Sequence, residues 1–89
     1  MNKKMIDMLV CPIDKQFPLE LHEVKSKQEA ILEGVLFCSK CSRFYPIIEE
    51  IPIMLPDELR DKKQDMDFLE KNKQKLPQKI IKDAKPWHL

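Results

Sequence analysis

The sequence predicts a small α+β fold, in which a short antiparallel sheet precedes a C-terminal helical extension. The chain has 89 residues, enough for one small core and no second one. Residues 1–56 contain all three cysteines and several stretches in which apolar and polar residues alternate, as in strands. Residues 57–89 are lysine-rich and poor in β-branched residues. We therefore predict a division near Pro56, with the sheet in 1–56 and a helical extension and tail in 57–89.

The first half of the sheet region predicts two strands after a short helical or turn segment. The segment "KKMIDMLVCP" delivers the chain to Cys11, and "FPLELHEV" then alternates in the manner of a strand. A second strand follows in "EAILEGVLFC". Gly34 within it is expected to form a turn or bulge, because an isolated glycine in a strand pattern usually marks one.

The second half of the sheet region, "RFYPIIEEIPIML", predicts a third strand and a fourth one. Glu49 and Glu50 are expected at the bend between them. Because Pro46 and Pro52 lack amide donors, these strands should be short or lie at the edge of the sheet.

The helical extension is expected to start at Pro56, where a proline is followed by two acidic residues that suit the positive end of a helix dipole. Pro77 should end or kink this helix, leaving a short second one before an extended tail, "KPWHL". The apolar residues follow helical spacing and predict a narrow buried stripe. Its members are Leu59, Met66, Leu69, Leu76 and Ile80.

Composition narrows the class of protein. The formal net charge is +1, whereas proteins held to nucleic acid by charge alone carry a clear basic excess. No stretch resembles a signal peptide or approaches the length of a membrane span. We therefore expect a cytoplasmic protein whose cysteines are thiols or metal ligands rather than disulfides.

The cysteines are spaced like the ligands of a zinc ribbon. Cys38 and Cys41 form a Cys-x-x-Cys pair in "CSKC", and Cys11 and Asp14 have the same spacing in "CPID". Two such knuckles on successive hairpins are the arrangement of a zinc ribbon, and zinc accepts carboxylate as well as thiolate ligands. The sequence therefore predicts a zinc-ribbon-like sheet with zinc as its cofactor.

The identity of the fourth ligand is open at this stage. In one interpretation Asp14 joins the three cysteines as the fourth ligand, and in a second His22, His88 or water takes that place. In a third, zinc is absent or weakly held, and the thiols pack as small apolar groups. His22 alternates with its neighbours on a presumed strand and is expected in solvent, and His88 lies in the tail. No histidine and glutamate set accompanies the cysteines, so neither a catalytic zinc nor a cysteine nucleophile is predicted.

Two stretches resemble a known family. "LVCP" followed by "EGVLFCSKCSRFYPIIEEIPIML" is similar to the small zinc-ribbon activator subunit of tRNA and other methyltransferases in archaea and eukaryotes, to which short bacterial zinc-ribbon proteins are related. The resemblance covers residues 5–56. It implies a non-enzymatic subunit that forms a heterodimer with an S-adenosylmethionine-dependent methyltransferase acting on tRNA, rRNA or a translation release factor. It also implies contact with RNA only through that partner, and none with a membrane.

The sequence departs from the family pattern at identifiable positions. Asp14 replaces the second cysteine of the first knuckle, so metal binding is expected to be weak or absent if the carboxylate fails as a ligand. Glu50 stands where the family commonly has glycine. The helix after Pro56 is longer than archaeal relatives usually need.

The resemblance implies that the partner is bound by strand addition and apolar contacts. The residues themselves support such a surface, because a domain this small cannot bury every apolar side chain of the third and fourth strands, and exposed apolar edges pair with other chains. The alternative is that the C-terminal helix folds back over this face through Leu59, Met66 and Leu69. The predicted partner-binding residues are Phe44, Tyr45, Pro46, Ile47, Ile48, Ile51, Pro52, Ile53, Met54 and Leu55.

Two other functions are compatible with the sequence. The first is a free-standing RNA-binding zinc ribbon. The clusters "RDKKQD" and "KNKQK" are typical of solvated helix faces, and their alternative is a minor role in gripping tRNA beside the methyltransferase. A regulatory module of another enzyme is the second alternative. Trp87 is the single tryptophan, and it serves either as a docking anchor or as a packing residue on its own domain.

Overall fold

The computed structural model describes all 89 residues and shows a four-stranded antiparallel meander with helices after it. A 3₁₀ helix at Lys3–Met8 comes first. The strands are β1 (Glu20–Lys27), β2 (Ala30–Phe37), β3 (Phe44–Ile48) and β4 (Ile51–Pro52), and they neighbour one another in chain order. A 3₁₀ turn at Asp57–Leu59 leads to α1 (Lys62–Asn72) and α2 (Gln78–Ile81). The predicted α+β fold class is confirmed.

Gly34 lies in the middle of β2 rather than in a turn. It pairs with Glu23 of β1, and the register shifts immediately afterwards, so that Val24 has no partner on β2. A Cβ atom added to Gly34 would lie 2.7 Å from the carbonyl oxygen of His22. Of the turn or bulge predicted at Gly34, the turn is absent, and a bulge lies on the facing strand, where the two backbones come close together.

The bend predicted between the third and fourth strands is confirmed. Glu49 and Glu50 both adopt positive φ values, of 50° and 70°, and connect β3 to β4. β4 has only two residues, and Pro52 lies on it at the edge of the sheet. β3 has five residues, and the carbonyl of Pro46 accepts a hydrogen bond from the amide of Ile53. Both prolines are thus accommodated where the ladder is short, as predicted.

The two faces of the sheet are covered by different parts of the chain. Val35, Phe37 and Phe44 pack against the helices, in a cluster completed by Phe68, Leu69, Leu76, Ile80, Ile81 and Ala84. The opposite face is covered by the N-terminal segment, and its buried members are Met1, Cys11, Leu19, Ile31, Leu36, Cys38, Tyr45 and Ile47. The fold-back of the C-terminal helix, which the sequence left as an alternative, is therefore observed on the first face.

The helical extension starts later than predicted. Residues 57–59 form a 3₁₀ turn, and α1 begins at Lys62 after Asp61, whose side chain accepts a hydrogen bond from the amide of Gln64 at 3.1 Å. Such an N-cap satisfies a free amide of the first turn. Leu59 was predicted in the buried stripe but is 64% exposed, because it precedes the helix and does not share its face. α1 ends at Asn72, before Pro77 is reached, and the predicted short second helix, α2, begins directly after that proline.

A buried ion pair fastens the extension to the sheet. The side chains of Arg60 and Asp65 are each 2% exposed and lie 3.2 Å apart. Arg60 also donates to the carbonyl oxygens of Leu55 and Phe44. The indole Nε1 of Trp87 donates to Asp65 at 3.1 Å. Trp87 therefore packs on its own domain, which is the second of its two predicted roles.

The tail is paired with the sheet through Lys85. Its amide donates to the carbonyl of Ser42 at 2.8 Å, and its carbonyl accepts from the amide of Phe44 at 3.2 Å. These bonds form an isolated parallel bridge beside the start of β3.

None of the helices has both the length and the apolar character that crossing a membrane requires. The division of the chain at Pro56 stays a prediction.

Candidate metal centre

The first knuckle is a tight turn closed by Cys11. The carbonyl of Cys11 accepts from the amide of Lys15 at 2.9 Å, and its own amide donates to the carbonyl of Gln16 at 3.1 Å. Lys15 adopts a positive φ of 65°, which reverses the chain after Asp14. This geometry turns the side chains of positions 11 and 14 toward a common point.

The second knuckle repeats the same backbone pattern. The carbonyl of Cys38 accepts from the amide of Ser42 at 2.8 Å, and its amide donates to the carbonyl of Arg43 at 2.9 Å. Ser42 has a positive φ of 64°, close to the value at the matching position of the first knuckle. Asp14 therefore occupies the position that Cys41 occupies here, and the backbone of the first knuckle is that of a ligand-bearing turn despite the carboxylate.

The structure brings together all four predicted metal ligands. One ligand atom from each of Cys11, Asp14, Cys38 and Cys41 lies within 4.8 Å of the others. The sulfurs of Cys11 and Cys41 are 3.7 Å apart, and the sulfur of Cys38 is 3.5 Å from Oδ2 of Asp14. Tetrahedral zinc with ordinary bond lengths would separate two sulfurs by about 3.8 Å and a sulfur from an oxygen by about 3.5 Å. The four residues fit a metal ion of this kind.

Asp14 is oriented by a backbone amide. Its Oδ1 accepts a hydrogen bond from the amide of Gln16 at 2.9 Å, while Oδ2 is the oxygen nearer to the sulfur of Cys38. The Gln16 bond is the largest influence on the pKa of Asp14 and lowers it below its ordinary value. The carboxyl group is therefore ionised at neutral pH. The amide of Gln16 holds Oδ1, and Oδ2 faces the sulfur of Cys38.

The thiols of the two knuckles differ in their surroundings. Burial acts to raise the pKa of Cys11, but hydrogen bonds from the hydroxyl of Tyr45 and from the amides of Asp14 and Ile13 lower it overall. Burial raises the pKa of Cys38 to about 12. Cys11 is thus the thiol whose environment favours the thiolate, the form that binds metal.

Neither histidine belongs to the cluster. His22 lies on β1, where its Nε2 is 3.2 Å from Glu20, and Nδ1 of His88 is 3.1 Å from the carbonyl of Ala84. The alternative in which an imidazole completes the site is therefore excluded by their positions.

Sequence reasoning missed two neighbours of the metal centre, Arg43 and Tyr45, the second of which it had assigned to partner binding instead. The guanidinium of Arg43 makes two bonds to Asp57, of 2.9 and 2.8 Å. Asp57 and then the thiol of Cys41 raise the pKa of Arg43, so a fixed cation stands beside the second knuckle. Tyr45 contacts the first knuckle through its hydroxyl, 3.1 Å from the sulfur of Cys11. That contact joins positions 34 residues apart, and no local pattern could indicate it.

The predicted partner-binding residues fall into two groups. The side chains of residues 44–47 are buried on one covered face of the sheet or the other, so a partner cannot reach them in this structure. Ile51 is 60% exposed, and Ile48, Pro52 and residues 53–55 are partly exposed. We therefore restrict the proposed surface to this second group.

Comparison with known proteins identifies the family. A family model for Trm112p-like proteins matches residues 2–50. A UPF0434 protein of Methylobacillus flagellatus is 43% identical over 60 residues, which are 67% of this chain and 85% of that protein. A UPF0434 protein of Rhodopseudomonas palustris is 44% identical over 59 residues, which are 66% of this chain and 76% of that protein.

A solved structure shares the fold. It is the complex of the Haloferax volcanii Trm112 methyltransferase activator with a protein described as a methyltransferase. The match has a TM-score of 0.64 and 35% sequence identity, and it covers 67% of this chain and 100% of the matched chain. The family model spans both knuckles and more than half of the chain, and the chain belongs to the Trm112p-like family.

Proposed function

We propose that this protein is a non-catalytic subunit that activates and stabilises an S-adenosylmethionine-dependent methyltransferase acting on tRNA, rRNA or a translation release factor. The observation that carries the proposal is the match to the Haloferax volcanii activator along the whole of that chain, at 35% identity. In this role the subunit forms a heterodimer in the cytoplasm and meets RNA only through its partner.

The surface around β4 supports strand addition as the mode of binding. Ile51 is exposed, and residues 53–56, which follow it, have no regular secondary structure. The amides of Met54 and Leu55 donate to no other backbone group. Unpaired donors beside exposed apolar side chains are what an added strand requires, because main-chain bonds supply affinity and side-chain contacts supply specificity.

We also propose that the four-residue centre holds zinc in a structural role. Three thiolates and one carboxylate complete a tetrahedral set, which leaves no open position for a substrate. The support is the fit of the donor atoms and the repeated backbone of the two knuckles. Zinc bound here would join the two knuckles, and a small domain gains stability from such a link.

Co-expression with methyltransferases of the source organism tests the proposed partnership. The tagged full-length protein is expressed with each enzyme that modifies tRNA, rRNA or a release factor, and the expected result is a stoichiometric complex with at least one of them. In the variant Ile51→Asp, a charge on the proposed surface should abolish the complex. Ser26→Asp places the same charge at an exposed position on β1, at the opposite edge of the sheet, and should leave the complex intact.

Two results would contradict the proposal. One is the absence of any methyltransferase complex while another enzyme is consistently recovered, which would favour the regulatory-module alternative. The other is direct, salt-dependent binding of tRNA or rRNA by the isolated protein, which would favour a free-standing RNA-binding module.

A further inference from the structure

The hydroxyl of Tyr45 contacts a residue of the candidate metal centre. Tyr45 is fully buried on β3, and its hydroxyl makes one hydrogen bond, to the sulfur of Cys11 at 3.1 Å. A buried tyrosine hydroxyl ordinarily requires a partner, and most often finds a backbone or side-chain oxygen. Here the partner is the sulfur of a candidate metal ligand.

The bond distinguishes the first knuckle from the second. The backbone around each leading cysteine is alike, since the amide and carbonyl of Cys11 and of Cys38 make matching hydrogen bonds within their turns. Of these two cysteines, only Cys11 has a hydrogen bond to a side chain outside the knuckles. Cys11 is also the single sulfur ligand of its knuckle, since the other position is Asp14. The extra donor is therefore directed at the knuckle that lacks a second thiolate.

Neighbouring residues hold the ring and the backbone of Tyr45 in place, which keeps its hydroxyl close to the sulfur of Cys11. The guanidinium of Arg60 lies 4.7 Å from the centre of the ring, in the range of a cation–π contact. Arg60 is itself fixed by Asp65 and by the carbonyl of Leu55. β3 is paired along its length with β2 on one side, which holds the backbone of Tyr45. The donor is thus preorganised by contacts that do not involve the metal.

We propose that Tyr45 is a positioning residue of the metal centre, whose hydroxyl donates a hydrogen bond to the Cys11 sulfur when that sulfur binds the metal. An O–H donor stabilises negative charge on the sulfur and fixes the direction in which the sulfur faces the ion. Outer hydrogen bonds of this kind commonly change metal affinity by about 10- to 100-fold. The proposal goes beyond the proposed partnership, because it needs no methyltransferase.

The variant Tyr45→Phe tests the proposal, since it removes one oxygen and keeps the ring that packs against Arg60. Zinc affinity of the purified full-length protein is measured by competition with a chromogenic chelator. The expected result is a loss of about 10-fold. Absorption of the cobalt-loaded protein supplies a second readout, because sulfur-to-cobalt charge-transfer bands should shift when the Cys11 sulfur loses its donor. His22→Ala, outside the cluster, is the control and should change neither measurement.

An unchanged zinc affinity together with an unchanged cobalt spectrum in Tyr45→Phe would make Tyr45 an ordinary core residue and overturn the proposal. If that variant fails to fold, the unaltered protein loaded with cadmium is used instead. Its nuclear magnetic resonance spectrum should then show a slowly exchanging Tyr45 hydroxyl proton coupled to the metal, and absence of that signal would count against the bond. Failure of the wild type to bind any of these metals would also overturn it. None of these outcomes depends on recovering a methyltransferase complex.

Discussion

The two knuckles differ in one ligand, since the first has the carboxylate of Asp14 where the second has the thiol of Cys41. A carboxylate oxygen is a harder ligand than a thiolate, so it contributes less to the affinity for a borderline-soft ion such as zinc. One of its oxygens is engaged by the amide of Gln16, which leaves the other for the metal. The strength of the centre is therefore decided largely at this residue.

We expect Asp14→Ala to weaken zinc binding and Asp14→Cys to strengthen it. Alanine leaves three protein ligands, whereas cysteine restores a second thiolate on a backbone that already has the ligand-bearing shape. Zinc content after dialysis is measured by mass spectrometry under native conditions. Unchanged zinc content in Asp14→Ala would rule out the carboxylate as an essential ligand.

The bond between Arg43 and Asp57 predicts a loss of stability in acid. Arg43 lowers the pKa of Asp57 in the folded protein below its ordinary value of 3.8. The stabilising contribution is therefore fully present above pH 3.8 and is lost as the pH falls through the lowered folded pKa. We expect Asp57→Asn to reduce the urea midpoint at neutral pH and to flatten its decline in acid. An acid decline as steep as that of the wild type would contradict this role.

At the scale of elements, the pairing of β1 with β2 depends on the absence of a side chain at Gly34. Its position opposite a bulge leaves no room for a Cβ atom, because the obstructing atom is backbone rather than a flexible side chain. The glycine is needed for close approach, and its own φ is not positive.

We expect Gly34→Ala to reduce the free energy of unfolding by about 1–3 kcal/mol, since the strands must separate to admit the methyl group. Chemical denaturation followed by circular dichroism measures the change. Ser26→Ala, an exposed position on the same hairpin, should stay within about 0.5 kcal/mol of the wild type. Equal free energies of unfolding for the two variants would show that β1 and β2 can separate enough to admit the methyl group without loss of stability.

The junction between the sheet and α1 depends on the buried pair of Arg60 and Asp65. Removing one partner leaves the other charge buried without compensation, and Asp65 also accepts from Trp87. We expect Asp65→Ala to cost about 3–5 kcal/mol in unfolding free energy. The double variant Arg60→Met with Asp65→Leu should recover part of this loss, and thermal unfolding of the three proteins measures it. A single variant as stable as the wild type would refute the pair's importance.

At the scale of the whole molecule, each face of the sheet is closed by a segment from a different end of the chain. The helices cover one face and the N-terminal segment covers the other. The N-terminal amine donates to the carbonyl oxygens of Ile31 and Glu50, so even the first residue is part of the packing. The extension lies outside residues 2–50, the part that the family model matches, and yet supplies six of the nine buried residues of one core cluster.

We therefore expect the sheet and the extension to unfold in a single transition. Trp87 lies in the extension and is the only tryptophan, so its fluorescence reports on that region. Circular dichroism in the far ultraviolet reports on the entire backbone. Coincident urea curves from the two probes are the expected result, because a shared core unfolds cooperatively. An earlier fluorescence transition would show instead that residues 57–89 form a separate unit.

Local sequence patterns were sufficient to predict features that depend on neighbouring residues alone, such as strands and turns. Alternation located the strands, and the paired glutamates marked the bend before β4. The stripe of helical spacing included Leu59 and omitted Phe68, because the true start of α1 at Lys62 depends on the cap at Asp61 and on contacts with the sheet. For Gly34 the sequence left a turn and a bulge open, because a glycine that is needed for close approach cannot be told from one that is needed for a positive φ.

The sequence by itself determined the fold class, the two knuckles and their four candidate ligands, since the x-x spacing of a knuckle is a property of one short turn. Only the tertiary structure decided that residues 44–47 are buried, that Trp87 packs inward, and that Tyr45 faces the sulfur of Cys11. These facts depend on which segments cover each face of the sheet. Such contacts join positions far apart in the chain, and their free energies are settled only when the whole core is assembled.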